Sequence, residues 1–127
     1  MSKFINFSKR KESLLSELTD AAAAGNRNLV QTLLNTYHLN VNEVTQEGWN
    51  PLLVASARGD ISLVETLLKT YKANPNITNK QGNNSLHIAA INGHTTLVET
   101  LLNQYNFPPE KQNNEGGTLL HCAVISG

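Results

Sequence analysis

The 127 residues predict an all-α solenoid of helix-turn-helix units joined by short hairpin-like turns, about three and a half repeats long. The first observation is a period of 34 residues: Gly25, Gly59, Gly93 and Gly127 keep it, as do Gly48, Gly82 and Gly116. The second is that other residue types share the period. Leu33-Leu34, Leu67-Leu68 and Leu101-Leu102 follow it, as do Tyr37, Tyr71 and Tyr105 and the alanines Ala21, Ala55, Ala89 and Ala123. The third is that each period reads as two helices too short to be stable alone, so each pair must bury its apolar stripe on its neighbours. Repeats at about 13–44, 45–78 and 79–112 and a partial one at 113–127 follow a basic leader at 1–12.

The second repeat gives the elements in order. Asn50-Pro51 starts the first helix, where proline's missing N–H costs nothing. Leu52, Ala55 and Ser56 fall on one face, and the small residues let a neighbouring helix come close. Gly59 ends that helix and Asp60 caps the next. Leu63, Val64, Leu67 and Leu68 form its packing stripe. Ala73-Asn74-Pro75-Asn76 breaks the helix, and Gly82 lies in the following turn.

These residues resemble the ankyrin repeat from about residue 13 to 127. The closest stretch runs from Gly82 through Asn84-Ser85-Leu86-His87, Ala89-Ala90 and Gly93-His94 to Leu97-Val98 and Leu101-Leu102. The second copy keeps Pro51-Leu52 but has Leu53 in place of histidine; the fourth has Thr118-Leu119-Leu120-His121, with Leu119 in place of proline. The first copy lacks the glycine turn, as an N-terminal capping repeat would. The period is one residue longer than the commonest ankyrin length, and the extra residue falls around Tyr37, Tyr71 and Tyr105, where the family usually has glycine. An altered end to the second helix is therefore expected. No polar capping helix follows Gly127, so the chain is expected to be a fragment or to pack its last helix unusually.

Composition narrows the partner class. Ten basic and ten acidic side chains cancel, which gives no general argument for nucleic acid or an anionic membrane. Lys3, Lys9, Arg10 and Lys11 make residues 1–11 basic, leaving the remainder acidic; this start reads as a solvated leader rather than a lipid or nucleic-acid contact. A single cysteine, Cys122, excludes an internal disulfide and fits a reducing compartment. No secretory signal and no apolar run of membrane-span length is present. The frequent asparagines, including Asn83-Asn84 and Asn113-Asn114, read as compositional bias.

No catalytic constellation emerges. Cys122 stands beside His121, but adjacent helical residues point about 100° apart, and Cys122 shares the apolar slot of Ile88 and Val54. By resemblance, His87 and His121 are the family's structural histidines linking neighbouring turns; His94 starts a second helix, and His38 is exposed near a helix end. No carboxylate or thiol cluster joins the histidines at metal-ligand spacing, and Gly116-Gly117 lacks a phosphate-loop continuation. No catalytic residue, metal site or cofactor is expected.

The resemblance implies a protein–protein interaction scaffold whose partner, another protein, binds a concave face of turn tips and first helices. The family's variable positions map onto Gln46, Glu47, Trp49, Lys80, Gln81, Asn83, Asn114, Glu115 and Gly117 in the turns. On the first helices they map onto Ala23-Ala24, Ala57-Arg58 and Ile91-Asn92. Trp49 is the only tryptophan; with Arg58 it belongs to the residue types enriched at binding hot spots. It reads equally as an anchor for a partner or as a ring lying flat on the adjacent turn. Tyr37, Tyr71 and Tyr105 read as packing residues. The mixed charges of Lys80, Arg58, Glu47 and Glu115 speak against nucleic acid. The resemblance also implies a substrate asparagine for an asparaginyl hydroxylase at Asn42, preceded by Leu34 and Val41, and less completely at Asn76, preceded by Leu68 and Pro75. A monomeric cytoplasmic module without catalysis is the expected whole. The alternative is the targeting part of a larger enzyme or of a bacterial effector working in host-cell cytoplasm.

Overall fold

The computed structural model describes residues 7–118. Six helices lie among them: α1 (Phe7–Ala23), α2 (Arg27–Tyr37), α3 (Pro51–Arg58), α4 (Ile61–Lys69), α5 (Ser85–Ile91) and α6 (Thr95–Gln104). No strand occurs among the described residues. Lys3, His121, Cys122, Ala123 and Gly127 lie outside the described residues.

The first helix begins at Phe7, inside the segment read as a leader. Leu15, Leu18, Ala21 and Ala22 form its buried stripe, and Leu14 packs alongside. Lys11 is engaged rather than merely solvated: its ammonium pairs with Glu43 at 2.9 Å, joining α1 to the chain ahead of the first hairpin.

Every corner from a first helix to a second is built the same way. Gly25, Gly59 and Gly93 take φ of 73, 74 and 74°. At the second corner, Gly59 N–H donates to the Ser56 carbonyl and Asp60 N–H to that of Ala55; Gly25 and Asn26, and Gly93 and His94, repeat both bonds. This is the paired closure of a helix ending on a left-handed residue. The residue after the glycine then becomes the next N-cap: Asn26 accepts from Leu29 N–H and Asp60 from Leu63 N–H. His94 makes no side-chain cap, because its ring is used elsewhere, as described below.

The first helices stack on one another, α1 on α3 and α3 on α5, and each packs on its own second helix. Ala21, Ala55 and Ala89 are buried in this stack, and their size sets how closely it closes. A continuous core runs from Leu18 through Leu52, Leu63, Leu67, Leu86 and Leu101 to Phe107. Burying these side chains at roughly 1.5–3 kcal/mol each is what stabilises helices of seven to eleven residues.

The ends of the second helices are altered in a specific way. His38, Lys72 and Asn106 adopt φ of 50, 54 and 53°. They are one period apart, each directly after the repeated tyrosine. The chain reverses here in the left-handed region without a glycine, which is costly for residues with a Cβ and least so for asparagine. The tyrosines differ among themselves. Tyr71 packs on the core and its hydroxyl donates to Asn35 Oδ1 at 2.9 Å, one repeat back. Tyr105 also packs on the core, but its buried hydroxyl finds no partner. Tyr37 is 43% exposed, which departs from the packing role read from the sequence.

Two predictions follow from these backbone positions. Lys72→Gly removes the left-handed cost of about 1–2 kcal/mol and adds a glycine entropy cost of about 0.5–1, for a gain of about 0.5–1 kcal/mol. Asn106→Gly changes little; denaturant unfolding of the two variants checks the contrast, and equal effects would contradict it. Ser85 occupies the first turn of α5, where α3 has Pro51, and its fully buried hydroxyl has no partner. Ser85→Pro is therefore expected to stabilise by about 1 kcal/mol, since it removes an unpaired polar group and presets a helical φ. A lower melting temperature for this variant would show that the ring does not fit.

Candidate protein-binding face

Three hairpins occur among the described residues, and the first two lead directly into α3 and α5. In the first, Thr45 N–H donates to the Trp49 carbonyl and Gly48 N–H to that of Thr45. Asn79 with Asn83 and Gly82, and Asn113 with Gly117 and Gly116, repeat these bonds. The residue opening each hairpin also closes it from the side chain. Thr45 Oγ1 accepts from Trp49 N–H, Asn79 Oδ1 from Gln81 and Asn83, and Asn113 Oδ1 from Glu115 and Gly117. Between hairpins, Asn113 Nδ2 donates to Asn83 Oδ1 and Asn114 Nδ2 to the Lys80 carbonyl, each at 2.8 Å. The asparagines read as compositional bias thus have structural work at nearly every turn.

The expected face is only partly open to a partner. Gln46, Glu47, Lys80, Gln81, Asn92 and Glu115 are exposed, the last at the tip of the third hairpin. Asn83 is 8% exposed and bonded to Asn113, so it faces into the hairpin stack. Asn114 spans to the preceding hairpin, and the Asn92 carboxamide donates to the Ile88 carbonyl. Arg58 donates to the Ala23 carbonyl at 2.9 Å, capping the end of α1. His94 does the same one repeat on, from Nε2 to the Ala57 carbonyl at 2.8 Å. A Cβ on Gly25 would lie 2.7 Å from the Arg58 guanidinium, and one on Gly59 2.6 Å from the His94 ring. These glycines therefore admit the next repeat as well as turning the chain.

Of the asparagines expected as hydroxylation substrates, Asn42 Oδ1 accepts from Asn74 N–H at 2.7 Å. The same bond from Asn76 would need an N–H at Pro108, which has none. The two positions are therefore unequal in the fold.

His87 is 1% exposed and closes a capping box. Its Nδ1 accepts from Asn84 N–H, so the ring proton sits on Nε2, which donates to the Lys111 carbonyl at 2.6 Å. One nitrogen closes the cap of α5 and the other holds α5 to the chain that enters the next hairpin. Among the described residues, no group of three or more His, Cys, Asp or Glu could hold a metal ion.

Trp49 is half-buried and stands outside the core cluster. It lines a groove of about 390 Å³ with Ser16, Thr19, Asp20 and Ala23 of α1 and Val54 and Ala57 of α3. A second groove of about 240 Å³ continues past Glu12, Leu15 and Glu43 and shares Ser16, Thr45 and Glu47 with the first. Sequence reasoning singled out Trp49, Glu47, Ala57 and, on α1, Ala23, but missed the rest of the α1 wall. Its signal is the spacing of Glu12, Ser16, Asp20 and Ala23, which puts them on one helical face.

The fold defines an α-helical repeat solenoid with hairpin tips. A family model described as ankyrin repeats (3 copies) matches residues 18–110 and 52–127, and the chain belongs to the ankyrin-repeat family. A comparison with curated proteins finds no match. Ankyrin repeats are general protein–protein interaction modules and are typically non-catalytic. Among the described residues, no helix is long and apolar enough to cross a membrane.

The role of His87 is open to test. Leu53 fills the same slot one repeat earlier and is fully buried, so leucine fits there. His87→Leu should nonetheless cost about 2 kcal/mol, because it strands Asn84 N–H and the Lys111 carbonyl. Chemical denaturation measures this directly, and a neutral effect would mean that neither bond contributes.

Proposed function

We propose that this chain is a protein-binding module whose partner docks on the hairpin tips and first helices, with Trp49 as the main anchor. One observation carries the reading. Asn83 and Gly117 hold the place of Trp49 in the next two hairpins, which close with the same backbone bonds. The hairpin does not need an aromatic ring there, so its shape does not account for the tryptophan. A large, rigid ring half-open beside a groove is the kind of group that dominates binding energy. Glu47 and Gln46 supply a polar rim beside it, while Arg58 supports the site by holding α1 to α3.

The test is retention of proteins from a cell lysate on the immobilised chain, followed by affinity measurement on a retained protein. Trp49→Ala should weaken that protein by about 2 kcal/mol or more with an unchanged melting temperature. Trp49→Asn, which copies the next hairpin, should do the same. A fall in melting temperature with affinity intact would make the ring structural and sink the anchor.

A further inference from the structure

Trp49 shares its groove with an unbalanced set of charges. Glu12, Asp20, Glu43 and Glu47 line the two joined grooves, and no Lys, Arg or His is among the lining residues. Glu43 is neutralised by Lys11 at 2.9 Å. Arg58 is held on the Ala23 carbonyl, and the Lys80 stem lies over Gly48, in the first hairpin. Glu12, Asp20 and Glu47 have no ion-pair partner among the described residues.

Asp20 is out of place by two local rules. One period on, its position holds Val54 and then Ile88, both apolar. It also lies in the last turn of α1, where a negative charge opposes the helix dipole and α1 itself supplies no basic residue; the one cation at that helix end, Arg58, bonds the Ala23 carbonyl. A polar outer face on a terminal repeat does not explain it, because Asp20 lines the groove shared with Trp49 and Val54, on the side facing the second repeat. An acid kept against local preference beside an unneeded aromatic ring marks a site shaped for something else.

We infer that the groove between α1 and the first hairpin takes an arginine-bearing segment of the partner, its guanidinium stacked on the Trp49 indole and paired with Asp20 and Glu47. This inference rests on the docking face proposed above and adds the chemistry of its occupant. A cation over a tryptophan face is attracted by the ring, and a delocalised, weakly hydrated guanidinium stacks there better than an ammonium. A groove with low-dielectric walls and carboxylates of one sign concentrates that attraction.

Because Trp49 is the only tryptophan, its emission reports on this groove alone. The experiment titrates the full chain with a short peptide of alternating arginine and glycine, and with versions carrying lysine or glutamate instead. The arginine peptide should change the emission saturably, and the lysine version should bind several-fold more weakly, about the worth of the lost stacking. The Asp20→Asn, Glu47→Gln double variant should weaken the arginine peptide about tenfold. Glu99→Gln with Glu110→Gln makes the same change in net charge on exposed residues outside the groove and should leave binding within about twofold. Equal weakening by both pairs would reduce the effect to general charge attraction and overturn the inference. So would an equal response to the glutamate peptide, a response to calcium chloride alone, or no response to any peptide. If a lysate partner still depends on Trp49 while the arginine peptide does nothing, the docking face stands and its basic preference falls.

Discussion

The fold hangs on one recurring interaction: a carbonyl at the C-terminal end of α1, and the equivalent one of α3, is satisfied by a side chain from the following repeat. Arg58 does this for Ala23 and His94 for Ala57. A helix end leaves carbonyls without intrahelical partners. Here the remedy comes from the neighbour, so helix termination and repeat stacking become a single event. Gly25 and Gly59 serve both sides of it, turning their own chain and leaving room for the incoming guanidinium or imidazole. Two chemically different residues in offset registers reach equivalent carbonyls, which shows that the constraint lies on the carbonyl and not on the residue type.

The hairpin side has its own version of the same economy. His87 closes its helix cap with one nitrogen and reaches the Lys111 carbonyl with the other. Asn113 organises its own turn and bonds back to the preceding one, and Asn114 bonds back alongside it. Asparagine suits this because one carboxamide accepts from nearby backbone N–H groups and donates outward at once. Stacked repeats joined by such bonds behave as nearest-neighbour units, so damage at one junction is felt first by the two repeats that share it.

Much of this is legible in the sequence, for a physical reason. The Gly59-Asp60 corner, the Asn50-Pro51 start and the Leu67-Leu68 stripe are local signals that the backbone obeys wherever they occur, and the 34-residue period multiplies each by its copies. What escapes is set by contacts between repeats. Arg58 looks like a free hot-spot residue until Ala23 is brought within reach of it, and Asn83 looks like a hairpin tip until Asn113 folds over it. The asparagines resemble background because their acceptors and donors are backbone groups that composition does not display. The start of α1 at Phe7 is hidden by its basic character, which reads as tail until Lys11 meets Glu43.

The residues that break the repeat are more informative about function than those that keep it. A position under packing constraint converges among copies, as Ala21, Ala55 and Ala89 do. Trp49 against Asn83 and Gly117, and Asp20 against Val54 and Ile88, diverge in chemistry while the backbone around them stays the same. Either departure alone would be an ordinary surface variation. Both line one groove, on two different elements, brought together by the stacking of α1 on α3. The scaffold contributes a frame that tolerates such changes, since the bonds that hold it next to the groove use the Thr45 hydroxyl and the Ala23 and Ala57 carbonyls, not the side chains of Trp49 and Asp20. That separation between the bonds that hold the repeats and the side chains of Trp49 and Asp20 is what lets a fixed fold carry a particular binding surface.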